Sequence, residues 1–322
     1  MNEPVRAVFM GTPEFSVSSL SALLQLSQGA APLLRLVGVF TQPDRPAGRG
    51  QCVTAPPVKR AAVEAGLPVF QPERLRRPDS LSQLAGLQPE LIVVAAYAQI
   101  LSPRVLALPR LGCLNVHASL LPRYRGASPI QAAILDGVEQ TGVTIMQMEA
   151  GLDTGPILSQ VQVPIDPRAT AGSLTLLLAD AGARLLAATV LDWVAGTITP
   201  IVQDDAQATM TKPLTKDDGR IDWTSGAATI DRRVRAMSPW PGAFTEAKTG
   251  LLKIHAAAAH PGSAAGVPGT LVALPEGPAV VTGDGLLLLL EVQPAGKRSM
   301  PGTDWLRGAR SLLGTVLDTA MA

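Results

Sequence analysis

An α/β domain built on a parallel sheet, followed by a smaller domain of short strands, is the fold class this sequence predicts. The apolar runs at residues 5–10 and 33–41 flank a helical pattern with short junctions, the strand–helix–strand unit of a parallel sheet. Leu91-Ile92-Val93-Val94-Ala95-Ala96 is continuous, β-branched and uncharged, as a central strand buried on both faces must be. Beyond residue 212, short strands near 243–247, 252–256, 269–274 and 285–292 are separated by Gly and Pro turns, the pattern of a small barrel or sandwich. A chain of 322 residues accommodates both domains. We place the first at 1–201, a polar linker without periodicity at 202–211, and the second at 212–322.

The first strand ends at Gly11. Thr12 is placed to cap the next helix, Pro13 suits its first turn, and Glu14 suits the positive end of its dipole. That helix runs to about residue 27. The further glycines of a dinucleotide-binding turn are missing after Gly11, which argues against NAD. The polar stretch 42–50 carries Arg45 and Arg49. A loop of this length is either a solvent-exposed connection or a binding loop, and its guanidiniums suit phosphates. Helices at 57–65 and 78–86 flank a short strand at 69–70, and residues 112–117 form the next strand. A helix follows at 129–135, a strand with half-buried alternation at 141–148, a strand at 157–164 and a long helix at 171–195. Residues 229–237 read as a short basic helix.

Lys and Arg number 27 against 26 Asp and Glu, so no global field draws a polyanion, and local patches must hold any such partner. Two cysteines, Cys52 and Cys113, make no disulfide framework and fit a reducing cytoplasm. Residues 1–5 lack the regions of a signal peptide, and no apolar run reads as membrane-spanning. A cytoplasmic protein without a membrane partner is expected.

The chemistry gathers at Leu114-Asn115-Val116-His117-Ala118-Ser119-Leu120-Leu121-Pro122. Strand residues two apart share a face, with Cα atoms roughly 6.6 Å apart, so Asn115 and His117 can reach one small group. An amide donor beside a proton-moving imidazole suits acyl transfer. A strand histidine is more often a satisfied structural residue, and pattern alone leaves that reading open. Cys113 shares the face, but roughly 13 Å of strand separates it from His117, too far for a direct pair, and it reads as core. Asp153, in Gly151-Leu152-Asp153-Thr154-Gly155, is the acid placed to complete the site, because glycine neighbours permit unusual backbone angles. The alternative is a turn aspartate bonding its own backbone. The three histidines are too dispersed for a clustered metal site.

Together with Thr41-Gln42-Pro43-Asp44-Arg45-Pro46-Ala47-Gly48-Arg49-Gly50, Thr144-Ile145-Met146-Gln147-Met148 and Gln293-Pro294-Ala295-Gly296-Lys297, these motifs resemble the methionyl-tRNA formyltransferases over nearly the whole chain. The resemblance implies a Rossmann-like formyltransferase domain and an OB-like β-barrel that binds tRNA. It implies 10-formyltetrahydrofolate as the donor, released as tetrahydrofolate, initiator methionyl-tRNA as the acceptor, and no metal. Asn115, His117 and Asp153 become the catalytic trio. Ser119, Leu120, Leu121 and Pro122 line the folate site, and Arg45 and Arg49 contact the tRNA acceptor end. Where the family often has lysines after that loop, this chain has Gln51-Cys52-Val53, which weakens the phosphate contact expected there. Lys212, Lys216, Arg232, Arg233, Arg235, Lys297 and Arg298 are further basic candidates, each also readable as a solvated face. A monomer is expected. The competing readings are a glycinamide ribonucleotide or sugar-nucleotide formyltransferase, and a non-catalytic RNA-binding relative.

Overall fold

The computed structural model describes residues 3–47 and 52–318. The chain divides into two compact units: the first takes residues up to Pro129, Gln140–Pro164 and Thr175–Thr211, the second Ile130–Glu139, Ile165–Leu174 and the chain from Lys212 onward.

The elements run β1 (Val5–Gly11), α1 (Glu14–Leu26), β2 (Leu34–Phe40), β3 (Arg45–Ala47), β4 (Cys52–Thr54), α2 (Pro57–Glu64), β5 (Val69–Phe70), α3 (Pro78–Gly86), β6 (Leu91–Ala95), α4 (Pro103–Leu106) and β7 (Cys113–His117). They continue with β8 (Arg125–Gly126), α5 (Pro129–Asp136), β9 (Gln140–Gln147), β10 (Ile157–Pro164), α6 (Ala171–Ala195) and β11 (Met210–Thr211). A seven-stranded sheet has the order β10-β9-β7-β6-β1-β2-β5. The five strands from β7 to β5 are parallel, while β9 runs antiparallel to β7 and β10 antiparallel to β9. The apolar run of β6 lies between β1 and β7 and is buried throughout, as its composition requires.

Four local expectations change. Thr12 does not cap α1: Pro13 holds the cap position, and the Thr12 hydroxyl donates to the Tyr97 carbonyl at 3.3 Å. Part of the stretch 42–50 is not loop, because β3 pairs with β4 as a short hairpin. Asp44 anchors its base, accepting from Gln71 and pairing with Lys59, both at 2.7 Å, and these bonds hold its carboxyl below the usual range. β9 is buried at six successive positions rather than alternating, so both of its faces are covered. Finally, α6 is long and apolar enough to cross a membrane by length and composition, an apolar run the sequence reading passed over. Its buried positions Leu178, Gly182, Leu186 and Val190 recur every four residues, as on a helix laid against a core.

In the second unit, α7 (Ala227–Ala236) precedes β12 (Ala243–Ala247), β13 (Gly250–His260), β14 (Leu271–Leu274), β15 (Gly277–Val281), β16 (Leu286–Pro294), β17 (Met300–Pro301) and α8 (Gly302–Gly308). The strands form a six-stranded antiparallel sheet, order β12-β13-β16-β15-β14 with β17 on β16. Its core contains Trp223, Ile230, Val234, Leu252, Leu271, Leu287 and Trp305. β15 is absent from the sequence-based strand set, because its opening Gly-Pro reads as a turn, although all five of its residues are buried.

Candidate active site

All five β7 residues are buried, and the strand lies between β6 and β9, so neighbouring backbone sets its position. Asn115 stands opposite Val94 and Met146, and His117 opposite Thr144. The loop joining β9 to β10 then brings Asp153 to them. Its Oδ1 accepts from Asn115 Nδ2 at 3.4 Å, and its Oδ2 lies 3.6 Å from His117 Nδ1. The other ring nitrogen, Nε2, is 2.9 Å from the Tyr124 carbonyl, an acceptor, which sets Nε2 as a donor and fixes the ring. His117 and Asp153 side chains are only 6% and 13% exposed, so their interactions operate largely away from screening water.

Asp153 is therefore not an aspartate satisfied by its own turn; its bonds reach 27 and 38 residues away. Unusual backbone geometry does carry it into place: Gly151 has φ of 151°, and Asp153 itself takes a left-handed φ of 55°. Gly155 serves a different need than conformational freedom: a Cβ there would stand 1.9 Å from the Gln147 carbonyl oxygen. The second carboxylate oxygen accepts the Gly126 N–H at 2.8 Å. Gly126 lies in β8, which pairs with β11 from the stretch 202–211 read as linker. Gln203, in that same stretch, is buried and donates to the carbonyls of Asp153 and Gly155 at 2.8 and 2.6 Å. Its Oε1 accepts from the buried Arg125 side chain at 3.0 and 2.9 Å. Sequence reasoning found the trio but missed Tyr124, Gly126, Arg125 and Gln203. Two of these act through backbone groups, which leave no side-chain signature; the neighbouring Arg125-Gly126 and the lone Gln203 carry no local pattern.

The turn after β7 is built around Thr144. Its hydroxyl donates to the Ser119 carbonyl at 2.7 Å and accepts from Leu121 N at 3.1 Å and Gln160 Nε2 at 2.9 Å. Gln160 Nε2 also reaches the Leu121 carbonyl at 2.9 Å, and the Ser119 hydroxyl donates to the Arg123 carbonyl at 2.7 Å. Leu121 packs with Met146 and Ile157, and the Leu121–Pro122 peptide is cis. Ser119, Leu120, Leu121 and Pro122 thus form one fixed turn directly after the His117 strand end, with Ser119 and Leu121 buried and Leu120 and Pro122 partly exposed.

The basic candidates divide sharply. Arg45 is exposed on β3 and bonds Gln42 at 3.4 Å; no hydrogen bond or ion pair among the described residues joins it to the trio. Arg49 lies outside the described residues. The three arginines of α7 are structural: Arg232 donates to the Leu135 carbonyl at 3.0 Å, Arg233 to Asp218 O at 2.8 Å, and Arg235 pairs with Asp231 at 3.1 Å. Lys212 pairs with Asp218 at 3.3 Å, while Lys216, Lys297 and Arg298 are exposed. Cys113 is core, as read, and burial pushes its thiol up to about 12, which keeps it protonated and inert.

A carboxylate set between an amide donor and an imidazole at the end of a buried strand is an arrangement suited to acyl transfer, and the family matches specify the acyl group. Residues 5–190 match the formyl transferase family and 213–310 its formyl transferase C-terminal domain. A methionyl-tRNA formyltransferase of Roseiflexus sp. (strain RS-1) is 51% identical over 320 residues, spanning 99% of this chain and 97% of that one. One from Myxococcus xanthus (strain DK1622) is 47% identical over 309 residues, 96% of each chain. The chain belongs to the methionyl-tRNA formyltransferase family. Its fold is shared more widely: an N-formyltransferase from Helicobacter canadensis, solved with folinic acid and dTDP-3-aminofucose, superimposes with a TM-score of 0.65 at 17% identity, over 88% of this chain and 98% of that one. The family draws its formyl group from a folate-derived donor.

Proposed function

We propose that the protein transfers the formyl group of 10-formyltetrahydrofolate to the methionine α-amine of initiator methionyl-tRNA, in the cytoplasm, in support of translation initiation. The observation that carries this reading is the Asp153 carboxylate set between Asn115 and His117 in a chain that matches its relatives from end to end. The reaction makes a bond from the amine nitrogen to the formyl carbon and breaks the bond from that carbon to the folate nitrogen; the amine loses a proton and the folate nitrogen gains one.

An amide nitrogen carries two hydrogens, so Asn115 holds Asp153 with one and offers the other to the formyl oxygen as negative charge develops there. His117 is fixed through Nε2 on Tyr124, which makes Nδ1 the atom that takes and returns the proton. Asp153 faces Nδ1 and stabilises positive charge on the ring while the proton is held. The Ser119–Pro122 turn supplies one wall for the donor. Arg45 and Arg49 hold the phosphates of the acceptor end, and the second unit, of the OB-like kind, contributes further tRNA contacts.

The deciding experiment offers purified protein and 10-formyltetrahydrofolate three acceptors: charged initiator tRNA, glycinamide ribonucleotide and a dTDP-amino sugar. Formylation of the tRNA alone is expected. Transfer to a small acceptor without transfer to tRNA would overturn the assignment.

A further inference from the structure

Asp153 is held in two places. Its carboxylate is fixed by Gly126, and its main chain is fixed by Gln203, whose single amide nitrogen donates to the carbonyls of both Asp153 and Gly155. Both hydrogens of that amide are therefore assigned. The opposite end is equally committed, since Gln203 Oε1 accepts from Arg125 Nε and Nη2. Rotating the amide by half a turn would set its oxygen against two carbonyls and its NH₂ against a guanidinium, so the contacts allow one orientation. Arg125 is held in turn by Asp205 Oδ1 at 2.7 Å and, through its N–H, by the Thr209 carbonyl at 2.8 Å.

Gln203 and Arg125 are 8% and 5% exposed. Burying a guanidinium and an amide brings a desolvation cost that an apolar pair of similar volume would avoid. What the polar pair supplies is geometry. A side chain at a left-handed φ of 55° keeps its direction only while the surrounding contacts over-determine the backbone. Arg125 and Gly126 are adjacent, so one two-residue strand grips Asp153 at both ends, directly through Gly126 and by way of Gln203.

We propose that Gln203 is a positioning residue for formyl transfer: it fixes the backbone of 153–155 so that the Asp153 carboxylate meets Asn115 and His117, and Arg125 fixes Gln203. The proposal rests on reading Asp153 as a member of the catalytic trio. Gln203 acts through Asp153, and that dependence is the measurable signature.

The test is a double-mutant cycle on the full-length protein with methionyl-tRNA and 10-formyltetrahydrofolate, using Gln203→Glu, Asp153→Asn and the two combined. Gln203→Glu retains the acceptor for Arg125 but replaces the amide donor with an oxygen facing two carbonyls. With thermal unfolding confirming a folded protein, it should lower kcat roughly 10- to 100-fold and leave KM for both substrates unchanged. In the Asp153→Asn background the same change should cost little more, because the group being positioned is already lost. If Gln203→Glu does not fold, Gln203→Asn, which retracts the amide by one methylene, enters the same cycle with a smaller expected loss. Wild-type turnover in Asp153→Asn would sink the trio and this inference together. A slow Asp153→Asn beside a folded position-203 variant at wild-type kcat, or losses that multiply in the double variant, would overturn the inference alone.

Discussion

The main-chain N–H of Gly126 donates to Asp153 Oδ2 at 2.8 Å, so a backbone group joins the longer Asn115 bond in fixing the carboxylate that faces His117. Gly126 has φ of 105°, and a Cβ there would lie 2.3 Å from the Thr211 carbonyl oxygen. Gly126→Ala should therefore push β8 and β11 apart and turn its N–H away from Asp153. We expect a stability loss of about 1–3 kcal/mol, from a residue forced into a disfavoured backbone region. Formylation should fall by about 10²-fold as the carboxylate drifts. Urea unfolding alongside steady-state kinetics measures both, and full activity would show that Asp153 does not depend on this bond.

Replacing the two side chains proposed to act on the formyl group separates chemistry from folding. His117→Ala should cost about 10²–10⁴ in kcat, the usual weight of general acid–base help. Asn115→Ala should cost about 10²–10³, the weight of one preorganised oxyanion donor. Both residues lie on a strand that pairs with β6 and β9 through main-chain groups, which neither substitution removes, so near-native secondary structure by circular dichroism is expected. Near-wild-type turnover in a folded His117→Ala protein would remove the imidazole from the mechanism.

What the sequence made legible was whatever repeats with the period of an element. The run at 91–95 announced a central strand, and the two-residue period of a strand put Asn115 and His117 on one face of β7. Asp153 was found through its glycines, of which Gly151 takes an unusual φ of 151° as the sequence suggested, while Gly155 permits a close approach and Asp153 takes a left-handed φ itself. The frame around the trio stayed hidden because it is non-local and largely main-chain. β8 pairs with β11 across about 85 positions of sequence, and each strand is only two residues long, too short for any periodicity. The antiparallel direction of β9 and β10 was equally hidden, since the alternation read at 141–148 is not the burial pattern of β9, which is buried at six successive positions.

Thr144 is fully buried, and its hydroxyl bonds Ser119, Leu121 and Gln160. Thr144→Val keeps the shape and removes all three bonds, leaving buried partners unsatisfied at a cost of about 1–3 kcal/mol. The turn 119–122 should loosen, so KM for the formyl donor should rise while KM for methionyl-tRNA holds. An equal rise in both would separate this turn from donor binding.

Arg45 tests the phosphate contact. Because it is exposed and bonded only weakly to Gln42, Arg45→Ala should leave stability unchanged and raise KM for tRNA. Binding measured against salt concentration should lose about 0.7–0.9 of a unit from its log–log slope, one phosphate contact's worth. An unchanged slope would place Arg45 away from the phosphates.

The last prediction concerns acid stability. Glu90 accepts the Arg6 N–H at 3.0 Å and pairs with Arg110 at 2.7 Å, tying the start of β1 to the segments before β6 and β7. These bonds, the Arg6 N–H foremost and Arg110 next, hold its carboxyl below the ordinary value of 4.5. A lowered folded-state pKa means that the folded chain binds fewer protons than the unfolded chain in that range. The stabilisation is thus complete above the unfolded pKa and disappears as pH falls through the folded one. Glu90→Gln should lower Tm at neutral pH and narrow the gap to wild type as pH falls below the ordinary 4.5 and through the lower folded-state value, where the wild-type carboxylate is itself being protonated. Parallel Tm curves for the two proteins from neutral pH down through that titration would show that Glu90 contributes the same to stability with and without its charge.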